Sequence, residues 1–417
     1  MTHPAVKNGA YDVAKLREDF PILAMEVYGK PLIYLDNAAS AQKPKAVLDR
    51  IQHAYTHEYA NVHRGLHYLA NAATEAYEGA REKVRGFLNA GRPEEIIFTR
   101  NATEAINLVA YSWGRANIGP GDEVLITEME HHSNIVPWQI LCEATGARLR
   151  YLTVTEDAEL SLDELDTVLA EGRVKLVAFA HISNVLGTIN PVAEIARRAR
   201  AAGAVTVVDG AQGVPQLPLD LSELGVDFYA WTGHKALGPT IGMLHGRREL
   251  LEEMPPFLGG GHMISRVERE RSTWNELPFK FEAGTSAATE AVGLGAAIEY
   301  LRAIGMENVR AHERELTAYA LERLPEVEGI RLFGPSDLDH RGGVVAFAIE
   351  GIHPHDIAEL CDREAVCVRA GHHCAQPLMR CLGVGATARA SFNVYNAREE
   401  VDRLVEALTG AREVFKL

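Results

Sequence analysis

The sequence predicts an α/β protein: a large domain built on a mostly parallel sheet, followed by a smaller α+β domain. Three observations predict it. Between about residues 95 and 235 short β-rich runs alternate with helical stretches, the βαβ rhythm of a parallel sheet covered by helices. Near residue 290 the composition changes, and the small-residue stretch "TEAVGLGAAIEYLRAIG" leads out of that pattern into short mixed units. Among those units "RASFNVY" alternates apolar and polar residues, as a half-buried strand does.

Taken in order, residues 1–30 read as an N-terminal segment that packs with the small domain, 31–290 as the large domain and 291–417 as the small one. In "NAATEAYEGAREKVRGFL" the residues Ala73, Tyr77, Ala80, Val84 and Phe87 fall at helical spacing, an amphipathic stripe whose plain purpose is core packing. The strand runs are "EEIIFTR", "DEVLITEME", "VKLVAFAHIS", "AVTVVDG" and "DFYAWTG". Between two of them, "PVAEIARRARAAG" places a proline where a helix starts and a glycine where it ends. The small domain follows in "GIRLFGP", "GGVVAFAIEG", "PHDIAELCDREA", "VCVRAG", "ARASFNVYN" and "REEVDRLVEALTG".

Composition narrows the function classes. The chain has 417 residues, 47% of them hydrophobic and 24% charged, ordinary values for a globular protein. No run of about 18 apolar residues occurs, so no membrane span is expected. The N-terminus has no apolar h-region, and a cytoplasmic location is expected. A formal net charge of -15 disfavours nucleic acid as a partner. The five cysteines, Cys142, Cys361, Cys367, Cys374 and Cys381, are odd in number and contain no Cys-x-x-Cys pair. Neither a disulfide framework nor a metal site is expected.

In open α/β sheets ligands bind beyond the carboxyl ends of the strands. The residues that follow the predicted strands include Thr103, His131, Asn184, Asp209, Gln212, Thr232, His234 and Lys235. Any one alone fits a cap, a turn or a surface group. Together they suit pyridoxal phosphate. A partly desolvated Lys235 can form a Schiff base with an aldehyde. An ionised Asp209 can hold a proton on the pyridine nitrogen, and His131 can lie against the ring and move protons. "RNATEA" starts a helix whose free N–H groups suit a phosphate, with Thr232 and His234 as further donors.

"DGAQG", "TGHKALGP", "EHHSNIVPW", "HISNVLG", "FEAGTS", "RAGHHCAQPL" and "ARASFNVYN" resemble the cysteine desulfurases of the class-V aminotransferase superfamily, with the SufS-type subgroup the nearest in wording. The likeness runs from "LDNAASAQKP" to "EEVDRLVEAL". It implies a fold-type I pyridoxal-phosphate enzyme, a homodimer that takes sulfur from L-cysteine, releases alanine and leaves a persulfide on a cysteine. Lys235 matches the Schiff-base lysine, His131 the ring-stacking histidine and Asp209 the partner of the pyridine nitrogen. Gln212 matches the group near the phenolic oxygen. Ala102, Thr103, Thr232 and His234 match the phosphate cradle, with alanine at 102 where threonine is common, so that only a backbone N–H can serve there. Thr285 matches a phosphate contact supplied by the other subunit. Asn184 and Arg389 match the residues that hold the substrate carboxylate, and Arg369 lies near the same pocket.

Cys374, in "VRAGHHCAQPL", reads from its neighbours as a metal ligand, a buried thiol or a nucleophile; the resemblance implies the persulfide-forming nucleophile. An unperturbed thiol is only a few per cent ionised at neutral pH, and Arg369, His372 and His373 are expected to raise that fraction. Gly371 is expected to give the loop freedom to turn sulfur inward and then outward. The "HPHD" stretch starts a helix, and the resemblance implies that His355 approaches the metal of a small zinc-containing sulfur acceptor, SufU-like or SufE-like, in iron–sulfur cluster assembly. Two alternatives keep the fold and cofactor: a selenocysteine lyase and a cysteine sulfinate desulfinase, neither of which needs Cys374. A third is a scaffold that has kept the fold without the chemistry.

Overall fold

Apolar runs set the central sheet. Its strands are β1 (Ile96–Thr99), β2 (Glu123–Thr127), β3 (Arg148–Leu152), β4 (Val174–Ala180), β5 (Val205–Asp209), β6 (Phe228–Thr232) and β7 (Gly242–Gly246) in a computed structural model that describes residues 2–7 and 10–415. β1, β2, β6 and β7 are buried along their whole length, as strands covered on both faces must be. The order is β1-β7-β6-β5-β4-β2-β3. β7 runs antiparallel to both its neighbours, β1 and β6; β2 to β6 pair in parallel. β7 is "GMLHG" and has no β-branched residue, which is why the sequence pattern does not announce it. A Cβ on Gly242 would lie 2.3 Å from the carbonyl carbon of Asn101, so glycine lets β7 close against the turn that follows β1.

Alternation splits the sheet's side chains between two cores. Val177, Phe179, Val208, Tyr229 and Trp231 point to one face; Leu176, Ala178, Val207, Phe228 and Ala230 point to the other. Helices α1 (Lys45–His57), α2 (Tyr68–Leu88), α3 (Ala102–Val109), α4 (Val192–Ala201) and α5 (Ala288–Ile304) flank the sheet. α2 is the helix read from periodicity, and it buries Ala73, Tyr77, Ala80 and Val84 as expected, with Leu88 fully buried and Phe87 half-buried. α5 buries residues around most of its girth. A Cβ on Gly293 would meet Ile51 Cγ1 at 2.7 Å, so this glycine sets how closely α5 and α1 approach.

The smaller sheet is antiparallel, ordered β8 (Ile330–Phe333), β9 (Val344–Ile349), β11 (Thr387–Ser391) and β10 (Arg369–Gly371). α6 (Met306–Arg323), α7 (Pro354–Arg363) and α8 (Arg398–Phe415) accompany it. The start of the chain joins this part. Phe20 packs on Tyr300 and Tyr395, and Arg17 meets Glu400 at 2.9 Å. Ile33–Tyr34 pairs in parallel with Val366–Cys367, with Ile33 and Leu35 inside the core of the smaller sheet. Among the described residues no helix is long and apolar enough to cross a membrane.

Candidate active site

A cavity of about 890 Å³ opens between the carboxyl ends of the central strands and the smaller sheet. Lys235, Asp209, His131, Gln212, Asn184, Ala102, Thr103, Thr232, His234, Arg389, Arg369, Cys374 and His355 all line it. Thr285 does not. It lies exposed on the loop before α5.

β6 ends in the turn Gly233–Lys235, which turns the lysine inward. Burial lowers the Lys235 pKa to about 8; Asp209 opposes the shift and Arg389 adds to it. Asp209 ends β5, and burial pushes its carboxyl upward while the Ala211 N–H donates to it at 3.0 Å. His131 follows β2. Its Nδ1 accepts from the Ser133 N–H at 3.1 Å, and burial, then the Lys235 charge, lower its pKa to about 3. The imidazole is therefore neutral at working pH. Beneath it Glu130, absent from the sequence reading, is buried with a pKa near 8 through desolvation. Asn134 Nδ2 donates to it at 2.6 Å and the Ala180 N–H at 3.1 Å, which ties the end of β2 to that of β4.

At the other end of the cavity α3 begins. Asn101 caps it, accepting from the Glu104 N–H at 2.9 Å, so the first-turn N–H groups of Ala102 and Thr103 have no partner within the helix. Thr232 and His234 complete that end. Gln212 donates through Nε2 to the Ala38 carbonyl at 2.8 Å. An enclosed amine with a pKa near 8, a buried carboxylate on the neighbouring strand and a helix start with orphan donors fit pyridoxal phosphate in this volume.

Arg389, on β11, is buried. Its Nη1 donates to the Asn184 carbonyl at 2.9 Å and its Nη2 to Asp36 at 3.3 Å; Nε is buried with no acceptor among the described residues. Burial lowers its pKa to about 10, so it stays charged. Asp36 also meets Arg369 at 3.3 Å. The role of Asp36 went unread because its partners lie more than three hundred positions away.

Cys374 is exposed on the loop between β10 and the short helix Gln376–Cys381. Gly371 has φ +128°, and His373 and Cys374 have φ of 50° and 56°, left-handed conformations that cost non-glycine residues energy. The loop is held at several points. Asn184 Nδ2 donates to the His373 carbonyl at 2.9 Å, the Cys374 N–H donates to His372 Nδ1 at 3.0 Å, and the His132 N–H donates to the Cys374 carbonyl at 2.6 Å. The expectation that His373 adds positive charge fails. Its Nε2 lies 2.9 Å from Thr387 Oγ1, and burial, then Arg389, lower its pKa to about 3. It is a neutral, structural ring.

Residues 33–404 match the aminotransferase class-V family. The chain is 52% identical over 407 residues to a probable cysteine desulfurase of Halalkalibacterium halodurans, covering 97% of this chain and 98% of that protein. A solved cysteine desulfurase of Thermococcus onnurineus superposes with a TM-score of 0.93 at 37% identity over the whole of both chains. The Escherichia coli cysteine desulfurase CsdA superposes with a TM-score of 0.90 at 39% identity, covering 97% of this chain and 99% of that one. With that match and that cavity, the chain belongs to the class-V aminotransferase family, among its cysteine desulfurases.

Proposed function

We propose that this protein is a SufS-type cysteine desulfurase that uses pyridoxal phosphate to take sulfur from L-cysteine as a persulfide on Cys374. The observation that carries the reading is one cavity that joins an enclosed amine, a buried carboxylate, a buried arginine with a free donor and an exposed cysteine on a strained loop.

When bound, pyridoxal phosphate supplies the electron sink that weakens the substrate's Cβ–S bond. Lys235 would hold the cofactor aldehyde. Asp209 would hold a proton on its ring nitrogen, which in turn relieves the buried charge of the carboxylate. The first turn of α3, Thr232 and His234 would hold the phosphate, and Gln212 the phenolic oxygen. Neutral His131 would stack on the ring and move protons. Arg389 presents a planar fork with Nε free, suited to a carboxylate, with Asn184 and Arg369 beside it. The Cys374 sulfur then bonds to the substrate sulfur as the substrate's Cβ–S bond breaks. The electron pair of that bond stays on carbon, and protonation there gives alanine.

The reading includes a division into an N-terminal segment (1–30), a cofactor-binding domain (31–290) and a small domain (291–417), and a cytoplasmic location. It also includes a homodimer, with Thr285 serving the partner's cofactor. Exposed Tyr55, Tyr59, Leu66, Tyr68 and Trp274 are apolar groups that such an interface would cover, with the Tyr55 and Tyr59 rings 5.4 Å apart. The sulfur would pass to a small zinc-containing acceptor, SufU-like or SufE-like, for iron–sulfur cluster assembly, with His355 at the cavity's edge approaching the metal.

The test is alanine released from L-cysteine by holoenzyme with a thiol reductant, wild type beside Cys374→Ser. Wild type should release alanine and the variant almost none. Equal release would overturn the persulfide role and favour a selenocysteine lyase or sulfinate desulfinase. Adding the acceptor should speed the wild type, and sulfur transfer from His355→Ala equal to wild type would sink the partner assignment.

A further inference from the structure

Besides the bonds from Asn184 Nδ2 and the His132 N–H, the Cys374 loop has a third hold on the large domain, and it is a titratable side chain. The Gln376 N–H donates to His132 Nε2 at 3.2 Å, one residue pair beyond the bond from the His132 N–H to the Cys374 carbonyl. A backbone N–H can only donate, so His132 Nε2 must be unprotonated for this bond to exist, and an imidazolium has no acceptor left. We propose that His132 is a positioning residue that latches the Cys374 loop: its neutral ring holds the Gln376 end and keeps the sulfur at the cavity, and its protonation lets that end go. This inference rests on the persulfide reading of Cys374.

Two features make a latch necessary. His373 and Cys374 both hold left-handed backbone conformations, and such conformations persist only where the surroundings impose them. The sulfur must also face two places, substrate within and acceptor without, so the hold must be releasable. The backbone bond from His132 cannot respond to pH, whereas the side-chain bond can.

The charged and titratable groups around the ring are few. The His372 ring lies 5.5 Å away and the His131 ring 6.3 Å, centroid to centroid. On its other side His132 lines a separate cavity of about 550 Å³ with Glu128, Tyr151, Gln376, Arg380 and Cys381. Cys381 is kept neutral there, its thiol pushed up to about 11 by burial and then by Glu128, and His131 is neutral as described. Burial and the neighbouring His372 hold the His132 pKa below its ordinary value. The sign follows. The latch is fully closed above the ordinary histidine pKa and is lost as pH falls through the lowered one.

Hydrogen exchange of full-length holoenzyme tests the latch without turnover, with wild type, His132→Gln and His132→Phe compared. Glutamine keeps an acceptor that does not titrate; phenylalanine keeps bulk without an acceptor. After correction for intrinsic exchange, protection of the 372–381 segment in wild type should fall about fivefold, the worth of one hydrogen bond, as pH is lowered from about 8 to about 4.5, well below the ordinary histidine value. His132→Gln should keep its protection at both pH values and His132→Phe should lack it at both. Unchanged exchange in α2 reports an intact fold; should His132→Phe disturb α2, the comparison of wild type with His132→Gln decides alone. A wild-type segment indifferent to pH, or a His132→Gln segment that loosens as wild type does, overturns the proposal. Failure here leaves the alanine assay standing, and failure of that assay leaves this exchange measurable.

Discussion

At Lys235 a sheet end tunes an amine. Burial favours the uncharged form, so the lysine pKa drops from 10.5 to about 8, and the nucleophilic fraction is substantial in the physiological range. Protein stripped of cofactor should therefore take up pyridoxal phosphate at a rate that rises with pH and levels off just above about 8, followed by the absorbance of the bound chromophore. A rate still climbing toward 10.5 would mean the amine is solvated. The same burial penalises the charged lysine, so it costs stability below pH 8, a cost that disappears as pH approaches the unfolded value. Lys235, Asp209 and His131 were legible in the sequence because each directly follows an apolar run, where a parallel sheet must put its ligand groups. Asp36 and His132 were not. Their partners, Arg389 and Gln376, lie 353 and 244 positions along the chain, and no local pattern carries such a contact.

Among the elements, α2 and α4 were legible because helical periodicity and end signals are local. β7 was not, since glycine at each end and no β-branched residue leave it without a strand signature; only its fit between β1 and β6 makes it a strand. α5 was read as a helix, and what its small residues are for emerges from packing. With a Cβ at 2.7 Å from Ile51, Gly293→Val should force α5 off α1 and cost about 1–3 kcal/mol of stability. Thermal unfolding should register the loss. A variant as stable as wild type would show that Ile51 yields freely.

At the scale of the whole molecule, the proposed homodimer raises the question whether sites are shared between subunits. Arg81 and Glu282 form a buried pair at 2.7 Å, with the Tyr77 hydroxyl and the Phe98 N–H also donating to Glu282, and this anchor fixes the root of the exposed Thr285 loop. If Thr285 serves the partner's cofactor, inactive Lys235→Ala chains and inactive Thr285→Asp chains should complement when mixed through unfolding and refolding. The mixed dimer has one site with an intact lysine and an intact partner loop, so it should show about half the wild-type activity per dimer. No recovery on mixing would mean that each chain works alone.

The pairing of Ile33–Tyr34 with Val366–Cys367 also has a consequence in time. During synthesis the early strand waits until more than three hundred further residues have been made, which at ribosomal speeds of about 5–20 residues per second takes tens of seconds. Throughout that interval Ile33 and Leu35 have no core to enter, while all seven strands of the central sheet, the last ending at Gly246, are made before their partner strand. The nascent chain thus makes the strands that end near Lys235, Asp209 and His131 first, and Arg389 and the Cys374 loop last. The cavity between the two sheets is complete only when the chain's early and late segments meet.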